Sequence, residues 1–181
     1  KFPDTGFGGL VGRRDIEKPI IAAVNGVAMG GGFEMALACD LVVAADHATF
    51  ALPEVKVGLI AGSGGLMRLP NQIPAKIASE MIYTGRPIDA HRAAHLGLAN
   101  SVVPLSDLMQ TARSLAEEIV ANSPTSVRLS KRVLSRAPEH DVPEGYLQID
   151  KSILQELAKA ADTREGVVAF AEKRAPNWVN G

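Results

Sequence analysis

Two glutamates follow turns or bends in apolar surroundings, where a carboxylate can take up or release a proton. Glu34 lies two positions after the triple glycine at residues 30–32, and Glu54 follows Pro53 twenty positions later. Two such carboxylates divide the roles of general acid and general base if the fold brings them together. The alternative is a carboxylate that stabilises a helix start in Glu34 and an ordinary loop residue in Glu54. The spacing alone leaves both interpretations open.

The triple glycine Gly30, Gly31 and Gly32 precedes a run of good helix formers, which places its backbone amides at a helix start. Amides there have no partner within the helix, and the helix dipole adds positive potential, so the turn suits a developing anion or a phosphate. The other interpretation is close packing against a neighbouring strand. The glycine spacings of the common nucleotide-binding loops do not occur in the sequence, which argues against those two sites.

Three further patterns are weaker candidates. His91 and His95 lie one helical turn apart, but the glutamate of the zinc-protease motif is absent, so we predict an exposed helix face and no metal. Ser63 lies in a second glycine-rich turn, yet Ala61 stands where a nucleophile elbow needs glycine. A basic stripe at helical spacing favours a solvated face over the docking of a phosphorylated ligand. Its members are Arg128, Lys131, Arg132 and Arg136.

Strand and helix signals alternate around these residues up to about residue 105. Apolar runs without polar alternation predict strands at residues 20–24, 41–45 and 98–103. Helices, two opened by glycine turns and one capped by Asp89, are predicted at residues 33–38, 66–69 and 90–96. The segment 50–54, which contains Pro53, is predicted to be a loop.

From residue 106 onward the pattern is helical. The 3.6-residue period and good helix formers predict helices near residues 108–120, 125–136 and 145–161. Asp162, with Glu165 three positions on, resembles a capping box and predicts the start of a last helix that continues to Glu172. The sequence therefore predicts an α/β part over residues 1–105 and an all-helical part over residues 106–181.

Composition excludes several classes of function. The chain has 181 residues, 46% of them hydrophobic, and 19 basic against 20 acidic side chains give a net charge of −1. This balance argues against nucleic acid as a partner. Cys39 is the single cysteine, so no internal disulfide forms, and we predict a reducing, cytoplasmic location. No apolar run reaches the roughly 18 residues of a membrane span, so no membrane partner is predicted.

Several segments occur together in a characteristic order. The most distinctive is Ala28-Met29-Gly30-Gly31-Gly32-Phe33-Glu34, and the others are residues 18–26, 39–40, 52–54, 64–65, 68–69, 84–86, 90–98 and 165–174. Together they resemble the enoyl-CoA hydratase/isomerase family, the crotonases, from about Lys18 to Trp178. The variant at residues 61–69, with Gly6-Phe7-Gly8-Gly9-Leu10 upstream, is more similar to the carnitinyl-CoA dehydratase-like branch.

The resemblance implies a fold class and an assembly. It implies an α/β, crotonase-like spiral of ββα units, followed by a helical trimerisation region, in a homotrimer or a dimer of trimers. Members of the family carry further ββα units and a second oxyanion-hole donor ahead of the region matched here. The resemblance therefore predicts that this chain is the C-terminal part of a longer protein.

The resemblance also implies a substrate and a site. The substrate is an acyl-CoA thioester, with no cofactor beyond the coenzyme A that it carries, and two backbone amides hold its enolate oxygen. Gly31 matches one donor, with Gly30 and Gly32 beside it in the substrate site. Glu34 and Glu54 match the two glutamates of members that hydrate a double bond, one activating water and one exchanging the α-carbon proton.

Phe170 and Lys173 match positions that approach the CoA nucleotide in the family, often from a neighbouring subunit. The expected reaction is the interconversion of a 2-enoyl-CoA and a 3-hydroxyacyl-CoA. Two alternatives stay open: an isomerase of the same fold that moves the double bond, and a non-catalytic acyl-CoA-binding or scaffold subunit.

Overall fold

The computed structural model describes residues 4–135 and 153–179. Contacts within the chain divide it into two compact units. The first unit comprises residues 1–13 and 20–114, and the second comprises residues 14–19 and 115–181. Arg136, at the end of the basic stripe, and residues 145–152 of the predicted helix 145–161 lie outside the described residues.

Short strands of the first unit form two three-stranded sheets. In chain order they are β1 (Ile21–Val24), β2 (Val27–Met29), β3 (Leu41–Ala45), β4 (Thr49–Ala51), β5 (Ile88–Asp89) and β6 (Ser101–Val103). In one sheet β3 lies between β1 and β6, and both pairings are parallel. In the other, β4 pairs in parallel with β2 and antiparallel with β5.

The helices follow the glycine turns and then dominate the second unit. They are α1 (Gly31–Ala38), α2 (Gly65–Gln72), α3 (Ala75–Thr84), α4 (Ala90–His95), α5 (Leu108–Val120), α6 (Pro124–Leu134), α7 (residues 153–159) and α8 (Ala161–Glu172). Short 3-10 turns occur at Phe7–Gly9, Glu54–Val57 and Leu105–Asp107. In the part of the chain that the structure describes, every helix falls short of the length and apolarity needed to cross a bilayer.

The core of the first unit explains why an apolar run becomes a central strand. Val43, Ala44 and Ala45 of β3 are fully buried, as expected for a parallel strand with neighbours on both edges. The residues of β1 are half-buried, since β1 pairs only with β3 within this sheet. The strands predicted at 20–24 and 41–45 are thus confirmed, whereas the third predicted strand shortens to Ser101–Val103.

The predicted loop at residues 50–54 was wrong at its start. Phe50 and Ala51 belong to β4, where the ring of Phe50 is buried and lies 5.4 Å, centroid to centroid, from that of Phe33. β4 has only three residues, too few for a local sequence pattern to specify a strand. Its pairing with β2 and β5 stabilises the extended conformation. The sequence analysis also missed β2, β5 and α3.

Within the second unit, the start of α8 corrects the capping-box prediction. The helix exists, but its N-cap is Ala160, which makes no side-chain cap. The carboxylate of Asp162 instead turns to the first turn of α6, where Oδ2 accepts from the Thr125 hydroxyl at 3.0 Å. The unpartnered amides at the start of a neighbouring helix attract a carboxylate as strongly as those of its own helix.

The basic stripe on α6 is engaged rather than freely solvated. Arg132 forms ion pairs with Glu17 at 2.6 Å and Glu156 at 2.7 Å, and hydrogen bonds to Glu156 and then Glu17 raise its pKa. Lys131 donates to the backbone carbonyl of Lys18 at 2.7 Å. These two members of the stripe tie segments of the second unit together.

Candidate active site

The first glycine turn connects β2 to α1 and is hydrogen-bonded to β4. Gly30, the N-cap of α1, has φ 53°, a conformation that favours glycine. Its N–H donates to the carbonyl of Ala51 at 3.0 Å, and its own carbonyl accepts from the N–H of Glu34 at 2.9 Å. A Cβ placed on Gly30 would lie 3.1 Å from Oε1 of Glu54. The turn is therefore held on one side by β4 and faces Glu54 on another.

Gly31 and Gly32 are the first two residues of α1, so their N–H groups have no partner within the helix. A Cβ on Gly31 would collide with the ring of Phe7, which lies against this residue. A Cβ on Gly32 would meet nothing within 4 Å. The helix start thus carries amides without a partner inside the helix, and the open space beside Gly32 suits the approach of a carbonyl oxygen.

Glu34 is buried in the first turn of α1, with 3% of its surface exposed. Its Oε1 accepts a hydrogen bond of 2.9 Å from the N–H of Gly65, the first residue of α2. The carboxylate that follows the first glycine turn is therefore held by the second. A buried carboxylate that accepts from a backbone amide keeps a defined orientation and a favourable site for its charge.

Glu54 begins the 3-10 turn Glu54–Val57, directly after Pro53. One of its carboxylate oxygens, Oε1, is the atom that faces Gly30. The other, Oε2, is buried and has no hydrogen-bond partner in the described part of the structure. A buried polar atom without a partner costs about 1–3 kcal/mol. This oxygen is therefore suited to a partner that the described residues do not supply, such as water or a substrate group.

The two glutamates are both placed at the start of α1: Glu34 lies in its first turn, and the carboxylate of Glu54 faces its N-cap, Gly30. Gly30 is hydrogen-bonded to the N–H of Glu34 and faces Oε1 of Glu54. Two carboxylates and a set of unpartnered amides can support proton transfer next to an oxygen that becomes negatively charged. The catalytic roles of Glu34 and Glu54 and the oxyanion role of Gly31 stay predictions.

Phe170 and Lys173 belong to the second unit, near the end of α8. Phe170 is 87% exposed, a large fraction for an aromatic side chain. Lys173 ends the helix in a left-handed conformation, with φ 54°, and its N–H donates to the carbonyl of Phe170 at 3.2 Å. Exposure leaves both side chains accessible to a ligand, and their part in CoA binding stays a prediction.

The structure does not support a catalytic or metal-binding role for the weaker candidates among the described residues. His91 and His95 are both exposed on α4. Among residues 4–135 and 153–179, no group of three or more His, Cys, Asp or Glu side chains could hold a metal ion. The carbonyl of Ser63 accepts from Arg68 at 3.4 Å, so this residue contributes to the shape of the second glycine turn.

A separate cavity of about 250 Å³ borders the C-terminal half of α1 and does not include either glutamate. Its polar side chains already have backbone partners. Asp40 accepts from the N–H of Ile20 at 2.7 Å, and Asn100 accepts from the N–H of Val42 at 2.8 Å. Because these groups hold strands together, we do not assign a ligand to the cavity.

Two residues of the site were missed by the sequence analysis. Phe7 lies on Gly31, and Gly65 binds the carboxylate of Glu34. The second glycine turn was visible in the sequence as a helix start, but nothing local related it to a glutamate 31 positions away. Phe7 stood in the segment Gly6-Phe7-Gly8-Gly9-Leu10, which contributed to the family resemblance but gave no sign of a contact with Gly31.

Comparison with known proteins places this geometry among related enzymes. The family model described as enoyl-CoA hydratase/isomerase matches residues 9–181. Carnitinyl-CoA dehydratase from Salmonella typhi is 46% identical over 180 residues, which are 98% of this chain and 69% of the dehydratase. The carnitinyl-CoA dehydratase of Proteus mirabilis is 43% identical over the same shares of both chains.

Solved structures agree with the sequence relatives. Enoyl-CoA hydratase from Mycobacterium tuberculosis superposes with a TM-score of 0.93 at 41% identity, over 99% of this chain and 70% of that one. Enoyl-CoA hydratase from Mycobacterium marinum gives a TM-score of 0.92 at 42% identity, over 99% and 72% of the two chains. The predicted α/β fold class is therefore confirmed.

Proposed function

Because the chain belongs to the enoyl-CoA hydratase/isomerase family, we propose that it adds water to a 2-enoyl-CoA thioester and catalyses the reverse dehydration of the 3-hydroxyacyl-CoA. The observation that carries the proposal is the placement of two glutamates at the start of α1. Glu34 lies in the first turn of this helix, Oε1 of Glu54 faces its N-cap Gly30, and the amide of Gly31 follows Gly30 directly. Relatives named as dehydratases and hydratases support the same reaction class.

Charge in this reaction appears on the thioester oxygen as the enolate forms. The N–H of Gly31, at the positive end of α1, stabilises that oxygen, and because it is fixed before the reaction it needs no reorganisation. Gly32 leaves space beside it, and Gly30 shapes the turn. The interaction is stronger in the transition state than with the neutral carbonyl, which is the condition for accelerating the reaction.

The two glutamates account for the protons. One carboxylate takes a proton from water while the water oxygen bonds to C3, and the other glutamate delivers a proton to C2. Hydration therefore balances as the addition of one water across the C2–C3 double bond, and dehydration reverses each step. Glu34 is buried in the first turn of α1, and Glu54 keeps one buried oxygen without a partner among the described residues.

The remaining parts of the proposal concern binding and assembly. The coenzyme A belongs to the substrate, and no separate cofactor is required for this reaction. Phe170 and Lys173 of α8 are proposed to contact the CoA nucleotide of a neighbouring subunit, and their exposure supports this role. The helical region 106–181 is proposed to form a homotrimer or a dimer of trimers. The cytoplasmic location stays a prediction from the single cysteine.

An isomerase of the same fold is the second candidate, since the family includes both reactions. Moving a double bond uses the same oxyanion site and shifts a proton between two carbons without adding water. Analysis of the product by mass separates the candidates, because only hydration raises the mass by one water. A non-catalytic acyl-CoA-binding subunit is the third candidate, and it predicts binding without turnover.

The test incubates purified protein with crotonyl-CoA or with a panel of 3-hydroxyacyl-CoA thioesters. The reaction is monitored by the change in absorbance of the conjugated enoyl thioester. We expect Glu34→Gln and Glu54→Gln each to lower kcat/KM by at least about 10²-fold, the effect of losing a general acid or base. Glu80→Gln is the matched control, because this glutamate is exposed on α3.

Two outcomes contradict the proposal. Binding of CoA thioesters without turnover of any of them supports the non-catalytic alternative. Turnover that survives both glutamate substitutions shows that the carboxylates at the start of α1 do not perform the proton transfers.

A further inference from the structure

The second glycine turn has no part in the reaction proposed above, yet it contacts one of the two glutamates. Gly64, the N-cap of α2, has φ 108°, and Gly65 is the first residue of the helix. The N–H of Gly65 has no partner within α2 and donates instead to Oε1 of Glu34 at 2.9 Å in the buried interior. We propose that Gly65 is a positioning residue that holds the Glu34 carboxylate in its reactive orientation; the inference rests on the proposed function.

The space around Gly65 is too tight for a side chain unless a neighbouring atom shifts. A Cβ at this position would lie 3.0 Å from the Cβ of Ala61, 3.0 Å from Cδ1 of Leu52 and 3.1 Å from Oε1 of Glu34. All three neighbours are at least 97% buried, so none of them moves freely. Glycine therefore allows the backbone amide to approach the carboxylate, and one added methyl group displaces either the wall of the site or the carboxylate itself.

The turn that carries Gly65 is itself fixed. Arg68 donates to the carbonyl of Val11 at 2.7 Å and to that of Ser63 at 3.4 Å, and its guanidinium lies against Gly64. The N–H of Arg68 also donates to the carbonyl of Gly64 at 2.8 Å. A donor on a fixed turn restricts the acceptor to one position, and the positive end of α2 favours the charged carboxylate there.

The carboxylate of each glutamate therefore faces the glycine turn that is more distant from it in the chain. Glu34 lies on the helix opened by the first turn and is bound by Gly65 of the second. Glu54 comes before the second turn in the chain and faces Gly30 of the first. Orientation of Glu34 thus depends on a residue 31 positions away that does not touch the substrate in the proposed reaction.

The test compares glycine-to-alanine substitutions in one turn. Gly65→Ala is expected to lower kcat by about 10²-fold, the loss that follows an ångström-scale misplacement of a catalytic group. The KM for the CoA thioester is expected to stay within about threefold, because substrate binding does not use this contact. Gly62→Ala is the control: its Cβ would meet only ordinary contacts, of 3.8 and 3.9 Å, with Ile60.

Two further variants distinguish a loss of carboxylate orientation from a general loss of packing. One adds a second substitution near Gly65, and the other shortens the side chain of Glu34. Ala61→Gly removes one of the nearest atoms to the new methyl group, so adding it to Gly65→Ala is expected to recover part of the lost kcat. Glu34→Asp withdraws the carboxylate from the Gly65 amide without adding an atom, and it tests the same contact if Gly65→Ala does not fold. It is expected to lower kcat with KM preserved.

Two results would overturn the inference alone. One is a Gly65→Ala or Glu34→Asp enzyme with undiminished kcat, in a protein whose activity Glu34→Gln abolishes. The other is a rise in KM that accounts for the whole loss of kcat/KM, which would indicate altered substrate binding. A wild-type protein without turnover overturns the proposed function and this inference together.

Discussion

Glu34 in α1 and Asp162 in α8 occupy similar helix positions in different units of the chain. Each is a buried carboxylate in the first turn of its helix, 3% and 1% exposed respectively. Each also accepts a hydrogen bond from a backbone amide in the first turn of another helix. The donor to Glu34 is the N–H of Gly65, and the donor to Asp162 is the N–H of Thr125.

The two carboxylates differ in how completely the surrounding chain binds them. Asp162 also accepts from the hydroxyls of Ser123 and Thr125 and, at 2.9 Å, from the N–H of Val179. Glu34 lies at a helix start that also faces Glu54, one of whose buried oxygens has no partner in the described residues. A carboxylate surrounded by donors joins segments of the chain, whereas a pair with spare acceptor capacity can exchange protons with a ligand.

The largest expected effect is on kcat/KM, and it distinguishes a substitution of Glu34 from one of Asp162. Glu34→Gln should lower kcat/KM by at least about 10²-fold. It should change the free energy of unfolding by only about 1 kcal/mol, since the amide oxygen still accepts from Gly65. Asp162→Asn is the matched substitution and should leave kcat/KM unchanged. Steady-state kinetics and urea unfolding measure both quantities, and an equal loss of activity in the two variants would remove the distinction.

The next effect is on stability. Asp162→Ala removes the acceptor of donors on Ser123, Thr125 and Val179, and we expect it to lower the free energy of unfolding by about 3 kcal/mol. Asp162→Asn keeps an acceptor oxygen and should cost less than half as much. Urea unfolding measures the difference, and a cost of Asp162→Ala no larger than that of Asp162→Asn would contradict the structural role.

The smallest effect concerns a carboxylate at the surface of the second unit. A hydrogen bond from Arg174, and then one from the N–H of Asn177, lower the pKa of Glu165 from 4.5 to about 2. Because the pKa is lower in the folded protein, the stabilisation is present above pH 4.5 and is lost as the pH falls towards 2. Solvent screens this pair, so the effect is modest.

Glu165→Gln tests this pH dependence. The difference in unfolding free energy between wild type and variant should shrink as the pH falls through that window, as measured by urea unfolding at a series of pH values. A difference that does not vary with pH would show that the Arg174 contact does not contribute to stability. Such a result would leave Asp162 as the structural carboxylate of α8.

Local sequence patterns were sufficient to predict an element whose own residues specify its type and its ends. The apolar period of α5 predicted Leu108–Val120, and Asp89 was correctly identified as the cap of α4, where it accepts from the N–H of Arg92 at 2.7 Å. They were insufficient for β4 and for the cap of α8. Phe50 is a strand residue because β2 and β5 flank it, and Asp162 binds α6 because that helix offers unpartnered donors.

The sequence by itself determined which residues could do chemistry here: Glu34 and Glu54, with a glycine turn that opens a helix. It did so because residue type and local spacing specify helix starts and the ionisable groups near them. Only the tertiary structure decided that Glu54 faces Gly30 and that Gly65 binds Glu34. Those contacts join residues 24 and 31 positions apart, and the packing of distant segments has no signature in the local sequence.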